Sequence, residues 1–225
     1  MDWPFAASPP GALFEALVMT DIQKGSTTNP AGRGPWSYAP WAAALIGVAV
    51  VLYIIVAVVK PGAHAGLAGL AHGEMAKLST AQAGAPEPST PFLDAQGRET
   101  HLAELKAPVL VVNLWATWCA PCVKEMPTLA RLQAAYPGKI IVAPISMDKA
   151  DDREKARAFI GEHAPLAFYQ DSKLALPFAF NPPAEGFPTT ILYGRDGREK
   201  ARFTGPADWN GADARAVVNA LLAQP

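Results

Sequence analysis

The chain has 225 residues, with 19 basic and 20 acidic side chains and a formal net charge of −1. That length suits one ordinary domain with some chain left over, or two small ones. The charge balance provides no basic face, so nucleic acid is not expected as a partner. Half of the residues are hydrophobic and 17% are charged, which is incompatible with disorder throughout. The mean hydropathy of +0.11 requires one strongly apolar segment.

Residues 1–40 are rich in Pro, Gly, Ser and Thr and read as a flexible N-terminal segment. Met19 is an alternative start, which N-terminal sequencing of the native protein would test. Residues 41–59, WAAALIGVAVVLYIIVAVV, carry no charge and span about 28 Å as a helix, close to the bilayer core. Trp36, Tyr38 and Trp41 lie at one edge and Lys60 at the other, as interface anchors do. The run reads as an uncleaved transmembrane anchor. The alternative is a signal peptide cleaved at Ala63-His64-Ala65, but signal h-regions are shorter, roughly 7–15 residues. Lys24 and Arg33 before the span balance Lys60 and Lys77 after it, so charge does not set the orientation. Leu67, Leu70, Ala71, Met75 and Leu78 recur at helical spacing and predict an amphipathic helix over roughly 64–79. It is expected to pack on the domain that follows, with the membrane surface as the alternative. A linker held extended by Pro86, Pro88 and Pro91 completes residues 60–90.

Residues 91–225 read as one α/β domain. Two short strands flank a turn at Ala95-Gln96-Gly97. Pro108–Leu114 is a Val-rich strand buried on both faces, followed by a helix over Cys119–Tyr136 with Pro127 expected to kink it. Lys139–Ser146 is a second buried strand and Asp151–His163 a helix whose acidic start suits the helix dipole. Leu166–Tyr169 reads as a strand and Lys173–Phe180 as a short helix. Thr189–Tyr193 and Glu199–Thr204 form a hairpin about Asp196-Gly197. Ala212–Ala223 closes the chain as a helix with Ala214, Val217, Val218, Leu221 and Leu222 on one side.

The chemistry lies in Trp115-Ala116-Thr117-Trp118-Cys119-Ala120-Pro121-Cys122, which ends a predicted buried strand and opens a predicted helix. Two cysteines at this spacing can close a disulfide within one helical turn. Unpaired backbone N–H groups and the helix dipole favour a thiolate at the first, lowering its pKa below the free value of about 8.5. Cys119 is therefore the expected attacking thiol, beside Trp118, and Cys122, one turn in, the resolving thiol. A zinc site lacks further ligands, since His64, His72, His101 and His163 show no metal-ligand spacing. A structural staple closing so short a loop constrains little of the unfolded chain. Glu125 lies three residues after Cys122, on the same side of the helix. A carboxylate there disfavours a thiolate and can accept the resolving thiol's proton; the alternative is a solvated surface charge.

WATWCAPC followed by Lys124-Glu125-Met126-Pro127, together with Leu70-Ala71-His72-Gly73-Glu74 and Gly205-Pro206-Ala207-Asp208-Trp209, resembles the TlpA/ResA group of membrane-anchored thioredoxin-like proteins over roughly residues 66–222. The resemblance implies a thioredoxin-like fold, a central mixed β-sheet flanked by helices, behind one N-terminal transmembrane helix. It implies a catalytic domain on the periplasmic side of a bacterial inner membrane. Catalysis is expected from Cys119, Cys122 and Glu125, with no metal and no cofactor beyond the Cys119–Cys122 disulfide. Gly186-Phe187-Pro188-Thr189 is implied to carry a cis-proline. Phe187 and Pro188, with Trp118, are expected to bind substrate, Phe187 by offering backbone groups to an extended peptide. Asn113 stands where ordinary thioredoxins carry a buried aspartate. It cannot titrate, so proton transfer shifts to Glu125 and Asn113 is expected to matter mainly for stability.

The implied partners are protein disulfides, among them copper-site assembly factors of cytochrome oxidase, and a membrane electron-donor protein. Direction is not encoded in the motif, and a pair with a stabilised reduced form would be an oxidant instead. One alternative is an apocytochrome c reductase, although such proteins follow the cis-proline with an acidic residue and this chain has Thr189. Another is a copper-binding carrier using the two cysteines as soft ligands.

Overall fold

The computed structural model describes residues 45–51, 53, 66, 67 and 69–224. The chain divides into two units that part between Val58 and Val59. In the first, residues 45–51 and 53 are helical and expose apolar side chains, including Leu45, Ile46 and Val48. Among the described residues no helix is long and apolar enough to cross a membrane. The expected flexible segment, and most of the run 41–59, lie outside those residues.

The second unit is built on seven strands: β1 (Phe92–Leu93), β2 (Glu99–Thr100), β3 (Val109–Trp115), β4 (Ile140–Ser146), β5 (Tyr169–Gln170), β6 (Thr189–Gly194) and β7 (Glu199–Thr204). Their order is β2-β1-β5-β4-β3-β6-β7. β3 runs parallel to β4 and antiparallel to β6, so the sheet is mixed. With it go the helices α1 (Ala120–Ala135), α2 (Arg153–Gly161), α3 (Ala175–Ala179) and α4 (Ala212–Leu222). This is the thioredoxin-like α/β arrangement expected from the sequence.

β3 is central because every residue of VLVVNLW is buried, and a strand covered on both faces has no polar side to turn to water. α1 packs against β4, and α4 against β3. α4 buries Ala214, Val217, Val218 and Leu221, leaving Leu222 half-buried. The register Asn113↔Pro144 and Asn113↔Thr190 puts the one amide of β3 in the middle of the sheet.

Several boundaries differ from the sequence reading. Asp151 and Asp152 lie in a 3-10 turn (Ala150–Asp152) before α2. β5 falls at Tyr169–Gln170 rather than 166–169, because the ladder to β4 reaches only those two residues. Within the described part of 64–79, a 3-10 helix (Gly73–Lys77) replaces a continuous α-helix. Gly73 adopts φ +53°, a left-handed conformation that interrupts an α-helix. The apolar residues of that segment still reach the interior: Leu67, Ala71, Met75 and Leu78 are all buried in the core. Residues 79–87 are more than a spacer. Ser79 exchanges backbone hydrogen bonds with Arg202, Gly84 donates to Glu199 and Glu87 to Gly197. They cover the outer edge of β7, which would otherwise present unpaired N–H and C=O groups.

Met75 is 2% exposed. Met75→Ala is expected to destabilise the domain by about 2–5 kcal/mol in chemical denaturation. A change within about 0.5 kcal/mol, the range of ordinary surface substitutions, would mean that residues 67–78 are not docked.

Candidate active site

β3 ends at Trp115 and the chain turns directly into α1. The turn is held from the side by a buried carboxylate. Asp148, just past β4, accepts from the Thr117 backbone N–H through Oδ1 at 3.1 Å and Oδ2 at 3.0 Å. Its Oδ1 also accepts from the Thr117 hydroxyl at 2.7 Å, and Oδ2 accepts from Ser146 Oγ at 2.8 Å. The Met147 N–H donates to Trp115 O. These bonds fix Trp115 and Thr117, just ahead of Trp118 and Cys119. Nothing in the spacing of the sequence singled out Asp148 for this role.

Cys119 is the N-cap of α1, and its Sγ accepts from the Cys122 backbone N–H at 3.3 Å. Pro121 falls within the first two helical positions, where a missing N–H loses no helical bond. Cys119 and Cys122 form a disulfide with a Cα–Cα distance of 5.3 Å. Cys122 is fully buried and Cys119 is 6% exposed, so the N-terminal sulfur is the more accessible one. Its position at the helix start, with a backbone N–H already aimed at sulfur, is the arrangement that stabilises a thiolate.

Trp118 is exposed at the mouth of the site. Its ring meets Phe187 edge-on, with centroids 5.8 Å apart. This contact joins the cysteine turn to the loop Gly186-Phe187-Pro188-Thr189, whose Phe187–Pro188 bond is cis. Thr189 turns its hydroxyl onto Gly186 O, and Pro188 O accepts from Gly205 N–H. Gly205 has φ +111°, a conformation open to glycine, and there the chain leaves β7 and returns toward α1.

That return makes the environment of Glu125. The side chain is 2% exposed, so it is no solvated helix-face charge. Oε1 accepts from Asn113 Nδ2 at 2.8 Å. Oε2 accepts from the Ala207 N–H at 3.1 Å and from Trp209 Nε1 at 3.3 Å. Trp209 is itself fully buried, with its backbone N–H on Thr128 Oγ1 and its ring edge-on to Phe203. Burial raises the Glu125 pKa to about 7, although the Asn113, Ala207 and Trp209 N–H groups each oppose the rise.

Asn113 holds Glu125 directly, while donating also to Thr190 Oγ1 at 2.9 Å. A strand residue six positions before Cys119 reaches a helix residue six positions after it because β3 and α1 are joined by a tight turn. Ala207, Trp209 and Thr190 also escaped the sequence reading. The Gly205–Trp209 segment was noted there for its resemblance, without a role. Among the described residues no group of three His, Cys, Asp or Glu side chains is placed to hold a metal ion.

Fold and site define a thioredoxin-fold protein with a redox disulfide at a helix N-terminus. Residues 81–221 match the Redoxin family, and the chain belongs to that family. It is 27% identical over 139 residues to the thiol-disulfide oxidoreductase ResA of Bacillus cereus, covering 60% of this chain and 78% of that protein. It is 35% identical over 79 residues to the thioredoxin-like protein YneN of Bacillus subtilis, covering 35% and 46%. A thio-disulfide isomerase from Thermus thermophilus superposes with a TM-score of 0.51 at 26% identity, covering 63% of this chain and 97% of that one. A thiol:disulfide interchange protein from Chlorobium tepidum shares the fold at a TM-score of 0.51 and 23% identity, covering 62% and 97%. The chain is a TlpA/ResA-like thioredoxin-family oxidoreductase carrying a CxxC pair.

The raised pKa of Glu125 has a definite sign in stability. In the unfolded chain the group ionises near 4.5, and in the folded one near 7. Between these values the unfolded state releases its proton first, so stability falls as pH rises through that window. The penalty is complete above about 7 and absent below the unfolded value. Oxidised protein, in which the cysteines do not titrate, should lose on the order of 3 kcal/mol between pH 4 and pH 8 from this group. Denaturation of Glu125→Gln across that range should lack this slope. Equal slopes in both proteins would overturn the assignment.

Proposed function

We propose that the protein reduces disulfides of target proteins on the outer face of a bacterial inner membrane, held there by residues 41–59. The observation that carries this reading is the Cys119–Cys122 disulfide at the start of α1, with Glu125 buried one turn further on. The exposed apolar helix within 45–53 supports the anchor, since lipid would cover such a surface.

Cys119, as thiolate, attacks one sulfur of a target disulfide. A mixed disulfide forms and one target thiolate leaves. Cys122 passes its proton to the Glu125 carboxylate and attacks Cys119 Sγ. The Cys119–Cys122 bond closes and the second target thiolate departs, taking up a proton. Two electrons have moved to the target, and the pair itself is the only electron store, so no cofactor is needed. The buried carboxylate disfavours a second negative charge, on Cys122. The reduced pair is then not stabilised as a dithiolate, which favours a reductant over an oxidant.

Trp118, Phe187 and Pro188 form the receiving surface. An extended target segment lies along the Phe187 backbone, with Trp118 against its side chains. A membrane electron-transfer protein resets the pair from the same side. The targets are assembly factors of the cytochrome oxidase copper site, whose cysteines must be dithiols to take up metal.

Cys122→Ala in the full chain, expressed in its native cells, should accumulate mixed disulfides on Cys119. Recovery of copper-site assembly proteins supports the proposed targets. Recovery of apocytochrome c would move the protein to haem attachment. With Cys119 confirmed accessible, an empty trap would count against the reductase reading itself. Glu125→Gln is expected to slow exchange on the order of 100-fold, the scale of losing one general acid–base group. An unchanged rate would remove Glu125 from the proton path.

A further inference from the structure

Asn113 is fully buried, yet its side-chain carbonyl Oδ1 has no hydrogen-bond partner. Its Nδ2 has two, Glu125 Oε1 and Thr190 Oγ1. Buried amides normally satisfy both ends, so an orphaned acceptor beside the reacting carboxyl calls for a reason.

The partners of Glu125 supply one. They come from β3 (Asn113), from the 205–209 segment (Ala207 N–H and Trp209 Nε1–H), and from burial itself. Its own helix also carries Cys122, Lys124 and Arg131, and no charged side chain figures among the influences on its ionisation. A backbone N–H and an indole N–H can only donate. A proton arriving on Glu125 therefore cannot settle on Oε2, which faces both. It must sit on Oε1, opposite Asn113. There the Nδ2 group would meet an O–H, donor against donor. A half-turn of the amide brings Oδ1 to that place as an acceptor. Thr190 can accommodate either end, because a hydroxyl both donates and accepts.

We propose that Asn113 is a positioning residue for both charge states of Glu125: its amide donates to the carboxylate and, turned end for end, accepts from the carboxylic acid. This deepens the reading of Glu125 as proton acceptor for Cys122 and rests on it. It also accounts for an amide in place of a second acid. An aspartate at 113 would set two carboxyls side by side in the interior and oppose ionisation of both. The orphaned Oδ1 is the acceptor held in reserve for the protonated state.

The test is a pH titration of the oxidised full-length protein by NMR, with glutamate labelled in its side-chain carboxyl carbon and asparagine in its side-chain nitrogen. The Asn113 amide resonances should shift with the same midpoint as the Glu125 carboxyl. The coupling across the hydrogen bond from Asn113 Nδ2 to the Glu125 carboxyl carbon should be present above that midpoint and lost below it. Asn113→Asp should raise the Glu125 midpoint by one pH unit or more, because it sets a second carboxyl beside the first; the turning amide and the lost coupling are what a merely structural role would not show. Should that variant fail to fold, the wild-type titration decides alone. A Glu125 carboxyl that titrates while the Asn113 amide stays fixed overturns this proposal and leaves the proton-acceptor reading intact. An amide that turns in a protein whose Glu125→Gln variant exchanges at the wild-type rate supports the proposal as an account of the two states and removes the acceptor reading instead.

Discussion

A carboxyl group in the interior of this protein sets the terms for much of what surrounds it. Glu125 is removed from water one helical turn from a disulfide, and a buried charge needs hydrogen-bond donors. It finds them in two chain segments: Asn113 on the central strand, and the Ala207 N–H and Trp209 indole on the stretch that returns from β7. The burial of Trp209 and its bond to Thr128 secure that stretch against α1. Exposing Glu125 would undo the donor arrangement, and loosening the 205–209 segment would expose Glu125.

Two opposing electrostatic influences meet at the cysteine pair. At Cys119 the helix start offers a backbone N–H to sulfur, which favours a thiolate there and suits it to the attacking role proposed above. Toward Cys122 the carboxylate of Glu125 disfavours a second negative charge nearby. The pair is thereby made asymmetric by position within one turn of helix. In the proposed cycle one sulfur reacts with a target, while the other keeps its proton until Glu125 takes it. Another buried acid, Asp148, has a different task. Both of its oxygens are occupied by the Thr117 turn and Ser146, so it fixes where the cysteines stand.

The region before the Redoxin match belongs physically to the domain. Leu67, Ala71, Met75 and Leu78 complete the core, and residues 79–87 close the outer edge of β7. Without residues 79–87, β7 would present an open sheet edge. Such an edge is a template for unwanted pairing.

The amino-acid sequence by itself determined the order of strands and helices, the placement of the CxxC pair at a helix start, the side of the helix that Glu125 occupies and the inward face of α4. These are local properties. They follow from periodicity, from backbone groups left unpaired at helix ends, and from turn residues a few positions apart. Only the tertiary structure decided that Glu125 is buried, that Asn113 and Trp209 hold it, and that Asp148 pins the turn before Cys119. Ala207 and Trp209 lie 82 and 84 positions from Glu125, and Asp148 lies 31 from Thr117. No propensity acts over such separations. Which donor faces a buried carboxylate depends on strand register and on where the chain returns after β7, and these are settled only when the core closes.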